Sequence, residues 1–286
     1  MTSAPSALPD LLPAAAAFSR AAAPRLCSDA CRPYHAAWST LRQIGAITGA
    51  RTDQDFFQSR LAPLAADSPR VLISGAADYA IAEQVLTAFR SAGVEPDITV
   101  ADTCATTLEQ NRWYAGQVGA SMRLLQADIR ALPGEAAYDL ITTHSVLSFL
   151  PAEEHAGLFS VWRRLLADGG HVAFVQGFRP HHDGGELRLE PPEITRFVAR
   201  AMAHYRADVL SSSLDAEAME ALAAGFAAAK RLYVVNDQEC LRTALREAGF
   251  RIESWQALTR DGLPYRSSLA DEKDQALSLR VVARAA

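Results

Sequence analysis

Cysteine is scarce in this 286-residue sequence, and the four present are scattered: Cys27, Cys31, Cys104 and Cys240. Cys27-x-x-x-Cys31 has no partner pair downstream, so the spacing matches no metal pattern, and the expectation is reduced, structural thiols and no bound metal. Long apolar runs are also missing. None approaches the roughly 20 residues needed to cross a bilayer. The N-terminus lacks the basic and long apolar regions of a secretory signal. These absences predict a cytoplasmic protein with no membrane partner. An excess of positive charge is missing as well: 28 Lys and Arg stand against 33 Asp and Glu. A net charge of −5 argues against nucleic-acid binding by phosphate neutralisation. What remains is ordinary for a globular chain, 49% hydrophobic and 21% charged, long enough for one large domain or one and a half.

Residues 1–24 are rich in Ala, Pro and Ser and carry no periodicity, so they are expected to form a flexible lead-in. Tyr34, Trp38, Leu41 and Ile44 recur at helical spacing, predicting a helix that Gly49 closes. A second helix over about 53–65 carries Phe56, Phe57, Leu61 and Leu64 and is shortened or kinked by Pro63. Together they make an N-terminal helical lid over 25–68. From Val71 the pattern alternates. Strands are expected at 71–74, 97–101, 122–126, 138–142 and 171–175, with helices at 80–92, 105–118 and 153–166 between them. Residues 177–191 read as a loop and precede two helices, 193–205 and 214–230, so 179–232 forms a helical insertion or cap. A helix at 237–248 and strands at 250–258 and 277–283 end the chain. Two successive strands with no helix between them imply that the last one runs antiparallel. The fold class is therefore α/β, a doubly wound, mostly parallel seven-stranded sheet over 69–178 and 233–286.

Val71-Leu72-Ile73 runs into Ser74-Gly75-Ala76-Ala77, and a helix opens near Ala80. A buried strand ending in a glycine turn is the nucleotide-binding corner of such a sheet. The turn lacks the full G-x-G-x-x-G pattern, because Ala77 and Ala80 stand where the later glycines belong. Asp102 and Asp128 end the second and third strands, where ligands lie. Asp102 is placed to accept both ribose hydroxyls, since a carboxylate has lone pairs for two donors. Asp128 could accept from an adenine amino group. The alternative for either acid is to cap the helix that follows.

At these positions the sequence resembles the class I S-adenosylmethionine-dependent methyltransferases. The resemblance covers about 70–178 and 237–285. It is carried by 71–79 as the cofactor loop, 98–102 as the ribose-acid strand and Asp128-Ile129-Arg130-Ala131-Leu132-Pro133 as the adenine segment. Tyr138-Asp139-Leu140-Ile141 with 142–150 resembles the fourth strand and its active-site turn. Residues 165–175 resemble the approach to the fifth strand, and 241–250 with the final strand pair resemble the terminal hairpin. The resemblance implies S-adenosyl-L-methionine as cofactor and S-adenosyl-L-homocysteine as product. It further implies contacts from Ser74, Gly75, Ala76, Ala77, Tyr79, Asp102, Thr103, Asp128, Ile129, Thr143 and His144. Three departures stand out. Ile73 occupies the place of the family's acid, and Ala77 and Tyr79 occupy those of its later glycines. Tyr79 either approaches the methionyl tail or simply packs. The Asn/Asp-Pro-Pro-aromatic signature of planar-amine methylation is replaced by Thr142-Thr143-His144-Ser145, and no acid-rich metal site is evident.

Methyl transfer from a sulfonium is an in-line displacement that needs alignment in a dry cleft. A base is needed only when the acceptor must lose a proton. His144, after the fourth strand, is the candidate for that role, and the alternative is that it merely hydrogen-bonds backbone or cofactor. Tyr34 and His35 on the N-terminal lid are second choices. The aromatic face of Tyr34 and Trp38 either packs or covers a ligand. The expected activity is methyl transfer to a small metabolite. One rival is a lyase or cyclase releasing methylthioadenosine, suggested by the altered Ile73/Ala77/Tyr79 loop. Another is a non-catalytic binder on the same scaffold. The N-terminal helices could also pair across a homodimer.

Overall fold

Strand β1 (Arg70–Ser74) forms because Val71, Leu72 and Ile73 lose all solvent contact with helices packed on both faces of the sheet. The other strands are β2 (Asp97–Asp102), β3 (Met122–Gln126), β4 (Tyr138–His144), β5 (Leu166–Phe178), β6 (Glu186–Arg188), β7 (Arg231–Tyr233), β8 (Phe250–Thr259) and β9 (Leu277–Ala285). The main sheet has the order β3-β2-β1-β4-β5-β9-β8. Its first five strands in sequence pair in parallel, and β9 lies antiparallel to both β5 and β8. The order reverses between β1 and β4, which opens a crevice at the carboxyl ends of those strands. The seven-stranded α/β expectation holds, including the antiparallel last strand. The computed structural model describes residues 8, 10–64, 69–207, 214–259 and 277–286. The turn-rich segment expected between the last two strands lies outside them.

The helices are α1 (Leu12–Leu26), α2 (Arg32–Gln43), α3 (Gln54–Arg60), α4 (Ala80–Ser91), α5 (Ala105–Gln117), α6 (His155–Leu165), α7 (Pro191–Ala207), α8 (Ala216–Ala229) and α9 (Gln238–Glu247). Two apolar clusters sandwich the sheet. Phe57, Leu86, Phe89 and Tyr114 bring α3, α4 and α5 onto one face. Phe159, Trp162, Leu241 and Leu245 bring α6 and α9 onto the other. Trp162 also donates its Nε1–H to Ser74 Oγ at 2.9 Å, a buried bond tying α6 to the end of β1.

One expectation needs correction. Residues 12–26 are not a flexible lead-in but form α1. Alanine carries the highest helix propensity, and Ala15, Ala16, Ser19, Ala22 and Ala23 bury a face of small side chains against the body. Large apolar residues are the usual sign of a packed helix, and here the fully buried positions are all alanine or serine, with Phe18 half-buried against Trp113 at 5.7 Å between ring centroids. The N-terminal lid and the inserted helices pack together as a single covering. Ala37, Leu41 and Ile44 of the α2 region share a third apolar cluster with Phe197, Met219 and Phe226 of α7 and α8. One cap results, placed over the carboxyl ends of the strands. The short ribbon of β6 and β7, absent from the sequence reading, forms at the cap's base. Among the described residues, no helix is long and apolar enough to cross a membrane.

Candidate active site

The cleft between cap and sheet has a volume of about 800 Å³. Pockets that hold small ligands run from about 300 to 1,000 Å³. Its floor is the turn after β1. Gly75 sits there at φ +78°, and a Cβ would meet Val146 Cγ2 at 2.7 Å. Glycine is required for both reasons, conformation and the close approach of the next strand's turn. Gly75→Ala is expected to cost about 1–2 kcal/mol of stability, measurable as a lower urea midpoint at unchanged slope.

Asp102 ends β2 beside that turn. One carboxylate oxygen accepts the Ala76 N–H at 2.9 Å and the other accepts the Cys104 N–H at 2.7 Å. Burial raises its pKa, opposed by these two amides. Its carboxylate also lines the cleft. Asp128 also lines the cleft but is held differently. It accepts the Arg130 N–H at 2.9 Å, capping the turn at Ile129–Ala131, and pairs with the Arg130 guanidinium, which lowers its pKa. The Arg130 side chain also reaches Glu154. Thr103, Ile129 and Val146 line the cleft as well.

His144 closes β4 and lines the cleft. Its Nε2 lies 3.2 Å from Asp53 Oδ2, a carboxylate with only 6% side-chain exposure. Asp53 in turn accepts from Arg280 Nε of β9 at 3.1 Å. Sequence reasoning offered no signal for this pair, because Asp53 stands in a single turn of 3₁₀ helix (Ala50–Asp53) far from the sheet in the chain. The turn after His144 is rigid. Ser145 is held at φ +61°, uncommon without glycine. Gln176 accepts the Leu147 N–H at 3.1 Å and donates to Ser148 Oγ at 2.7 Å. The His155 Nε2 lies 3.0 Å and 3.2 Å from the carbonyls of Leu147 and Leu150.

Several proposed contacts lie elsewhere. Tyr79 has no exposure and stacks on Tyr114 at 4.5 Å between ring centroids, so it packs. Ser74 turns away to meet Trp162, and Thr143 is buried within the sheet. Side chains alternate along a strand, and these two stand on the sheet face that α6 covers. Ile73 lies in the apolar cluster with Val71, Val85 and Leu140, where an unpaired carboxylate would be costly. Next to Tyr79, Asp78 carries out a task that the spacing alone did not suggest. It pairs with Arg42 of α2, both side chains 4% exposed, and also accepts the Ala80 N–H at 2.9 Å. The Arg42 guanidinium lies 5.9 Å from the Tyr79 ring, and a Cβ on Gly49 would crowd Arg42 Nε at 2.9 Å. Asp78 and the Tyr79 ring together seat this cap arginine.

The cap's inner wall is aromatic. Tyr34 stacks on Trp38 at 5.2 Å and meets Phe149 edge-on at 5.9 Å. The Trp38 Nε1 is buried with no partner among the described residues. Burial, with Asp78 and Asp102 nearby, pushes the Tyr34 phenol above its ordinary pKa, so it stays protonated near neutrality and is no base. His35 is also unsuited to that role. Its Nδ1 lies 3.1 Å from Cys104 Sγ and 3.5 Å from Cys27 Sγ. Burial opposes the imidazolium, but the surrounding thiols outweigh it and raise its pKa. Hydrogen bonding to His35 lowers the Cys31 thiol to about 6. Cys27, Cys31 and Cys104, which the spacing left scattered, therefore meet at one place beside the cleft.

Comparison with known proteins agrees with this fold. The model of a methyltransferase domain family matches residues 81–170, from the helix after the glycine turn to the bulge of β5. No curated protein matches the sequence. Similar solved structures include a putative sarcosine dimethylglycine methyltransferase from Galdieria sulphuraria, 11% identical, with 83% of this chain and 86% of that one aligned at TM-score 0.53. Geranyl diphosphate C-methyltransferase from Streptomyces coelicolor A3(2), solved with Mg²⁺, geranyl diphosphate and S-adenosyl-L-homocysteine, is 12% identical over 82% and 79%, at TM-score 0.53. The [4+2]-cyclase SpnF is 17% identical over 82% and 80%, at TM-score 0.53. At such identities the likeness is one of fold.

Proposed function

The fold is that of the class I S-adenosylmethionine-dependent methyltransferases, and on that premise we propose that this chain methylates a small metabolite held beneath its helical cap. The observation that carries the reading is the joint placement of Gly75, Asp102 and the Asp53–His144 pair around one cleft. The fit for S-adenosylmethionine rests on the chain's own chemistry. Gly75 leaves a cradle that a Cβ would fill, and Asp102 sets an acceptor carboxylate beside it for a ribose hydroxyl. Thr103, Asp128 and Ile129 would flank the purine, with Asp128 sharing its carboxylate between Arg130 and an amino group.

When bound, S-adenosylmethionine supplies an electrophilic methyl group on sulfur. The remaining work falls to residues of this chain. The Asp53 carboxylate holds the His144 imidazole with Nε2–H donating to it, which leaves Nδ1 as the basic atom for an acceptor proton. The fixed turn at Ser145 keeps that imidazole still. Tyr34, Trp38 and Phe149 exclude water and present ring faces that favour a cation by about 0.5–2 kcal/mol. The Trp38 Nε1–H offers an unused donor to the acceptor molecule.

Isothermal titration with S-adenosylmethionine and S-adenosylhomocysteine tests the first half of the reading, and no heat from either ligand would overturn it. Asp102→Asn is expected to weaken both ligands by about 1.5–3 kcal/mol, roughly 10–150-fold, because hydrogen bonds to a charged acceptor are lost. Incubation with host extract tests the second half: S-adenosylhomocysteine should accumulate. Methylthioadenosine would indicate lyase or cyclase chemistry instead. That rival drew on the altered loop, and Ile73 and Tyr79 support it less now that both are buried away from the cleft.

A further inference from the structure

We propose that Cys27, Cys31, His35 and Cys104 form a zinc site that fastens the helical cap to the end of β2. The four ligand atoms lie within 4.8 Å of one another. Cys27 and Cys104 Sγ are 3.5 Å apart, and Cys31 and Cys104 Sγ 3.8 Å. The imidazole Nδ1 lies 3.5 Å from Cys27 Sγ and 3.1 Å from Cys104 Sγ. With Zn–S of about 2.3 Å and Zn–N of about 2.0–2.1 Å, a tetrahedron has edges of about 3.8 Å between sulfurs and about 3.6 Å from sulfur to nitrogen. These separations lie within about 0.5 Å of those edges, and they are far beyond the roughly 2.05 Å of a disulfide.

Local structure presents the ligands. The tight turn between α1 and α2 carries Cys27, with the Arg32 N–H bonded to the Ser28 carbonyl at 3.0 Å. Cys31 precedes the first residue of α2, and His35 follows one turn later, so both project from one side of the helix. Cys104 precedes α5 and is buried. Outer contacts hold two of the sulfurs: Thr106 Oγ1 is 3.0 Å from Cys27 Sγ, and Ser28 Oγ is 3.4 Å from Cys31 Sγ. Three thiolates and an imidazole suit zinc, and four protein donors complete its coordination, so the site is structural rather than catalytic. On binding, the thiol protons and any proton on His35 Nδ1 pass to solvent, leaving three thiolates and a neutral imidazole as ligands. The Cys104 N–H donates to Asp102, so the metal also steadies the acid that faces the cleft.

Nothing in this inference depends on the identity of the cofactor, and the test needs no turnover. The full chain, purified without a histidine tag, should contain one zinc per molecule by plasma mass spectrometry. After chelation, cobalt(II) added alone should give the strong visible bands of a tetrahedral thiolate site. Cys104→Ser and Cys27→Ser should lower bound zinc by at least about tenfold. Cys240→Ser, at an exposed position, should leave it unchanged. Cobalt binding to the unaltered chain keeps the test decisive even if the serine variants fail to fold. A folded protein that takes up neither zinc nor cobalt, or one isolated with a Cys27–Cys104 disulfide, would overturn the proposal.

Discussion

Arg42→Met is expected to destabilise the protein by about 3–5 kcal/mol, because it leaves the Asp78 carboxylate buried without its partner. Both side chains of the pair are 4% exposed, so solvent can neither screen the remaining charge nor hydrate it. The loss should be smaller in Arg42→Met with Asp78→Asn. There the buried charge is gone, and asparagine retains the acceptor that Asp78 offers to the Ala80 N–H. Urea unfolding of the two single variants and the double variant gives the coupling energy directly. Additive losses would show that the pair does not hold the cap. Because Asp78 follows the glycine turn, the single variants should also weaken cofactor binding, whereas a purely peripheral ion pair would not.

His144→Gln is expected to lower kcat for a hydroxyl acceptor by about 10²–10⁴-fold while the dissociation constant of S-adenosylmethionine stays within about threefold. Glutamine preserves size and polarity but cannot take up a proton. Asp53→Asn should fall between the wild type and that variant, since the imidazole remains while its orientation and the stabilisation of its cation weaken. Initial rates of S-adenosylhomocysteine formation, with the acceptor found in extract, measure both. An unchanged kcat in His144→Gln would assign the imidazole a purely structural role and point to an acceptor that carries no proton to lose.

These two expectations rest on contacts of very different legibility. The alternation of strands and helices from Val71 onward, the glycine corner and the acids at Asp102 and Asp128 are local patterns, written within a few residues of one another. The antiparallel final strand was legible for the same reason, since two strands without a helix between them can pair only that way. Helix α1 was hidden because its buried face is built of alanine and serine, which give no contrast between inside and outside. Tyr79 and Ile73 read as departures from a cofactor loop, yet their faces on strand and helix direct them into the core.

The sequence by itself determined the fold class, the corner where a nucleotide-like ligand meets the sheet, and His144 at the mouth of the fourth strand. Only the tertiary structure decided the partners. Asp53 meets His144 across 91 residues, Arg42 meets Asp78 across 36, and Cys27 meets Cys104 across 77. Periodicity encodes which face of an element is buried, not which distant element will cover it. The cap assembles only when α2, α7 and α8 bury Leu41, Phe197 and Phe226 together, which sets Cys31 and His35 of the α2 region beside Cys104, while Ala50, Phe56 and Phe57 pack on the sheet and bring Asp53 to His144.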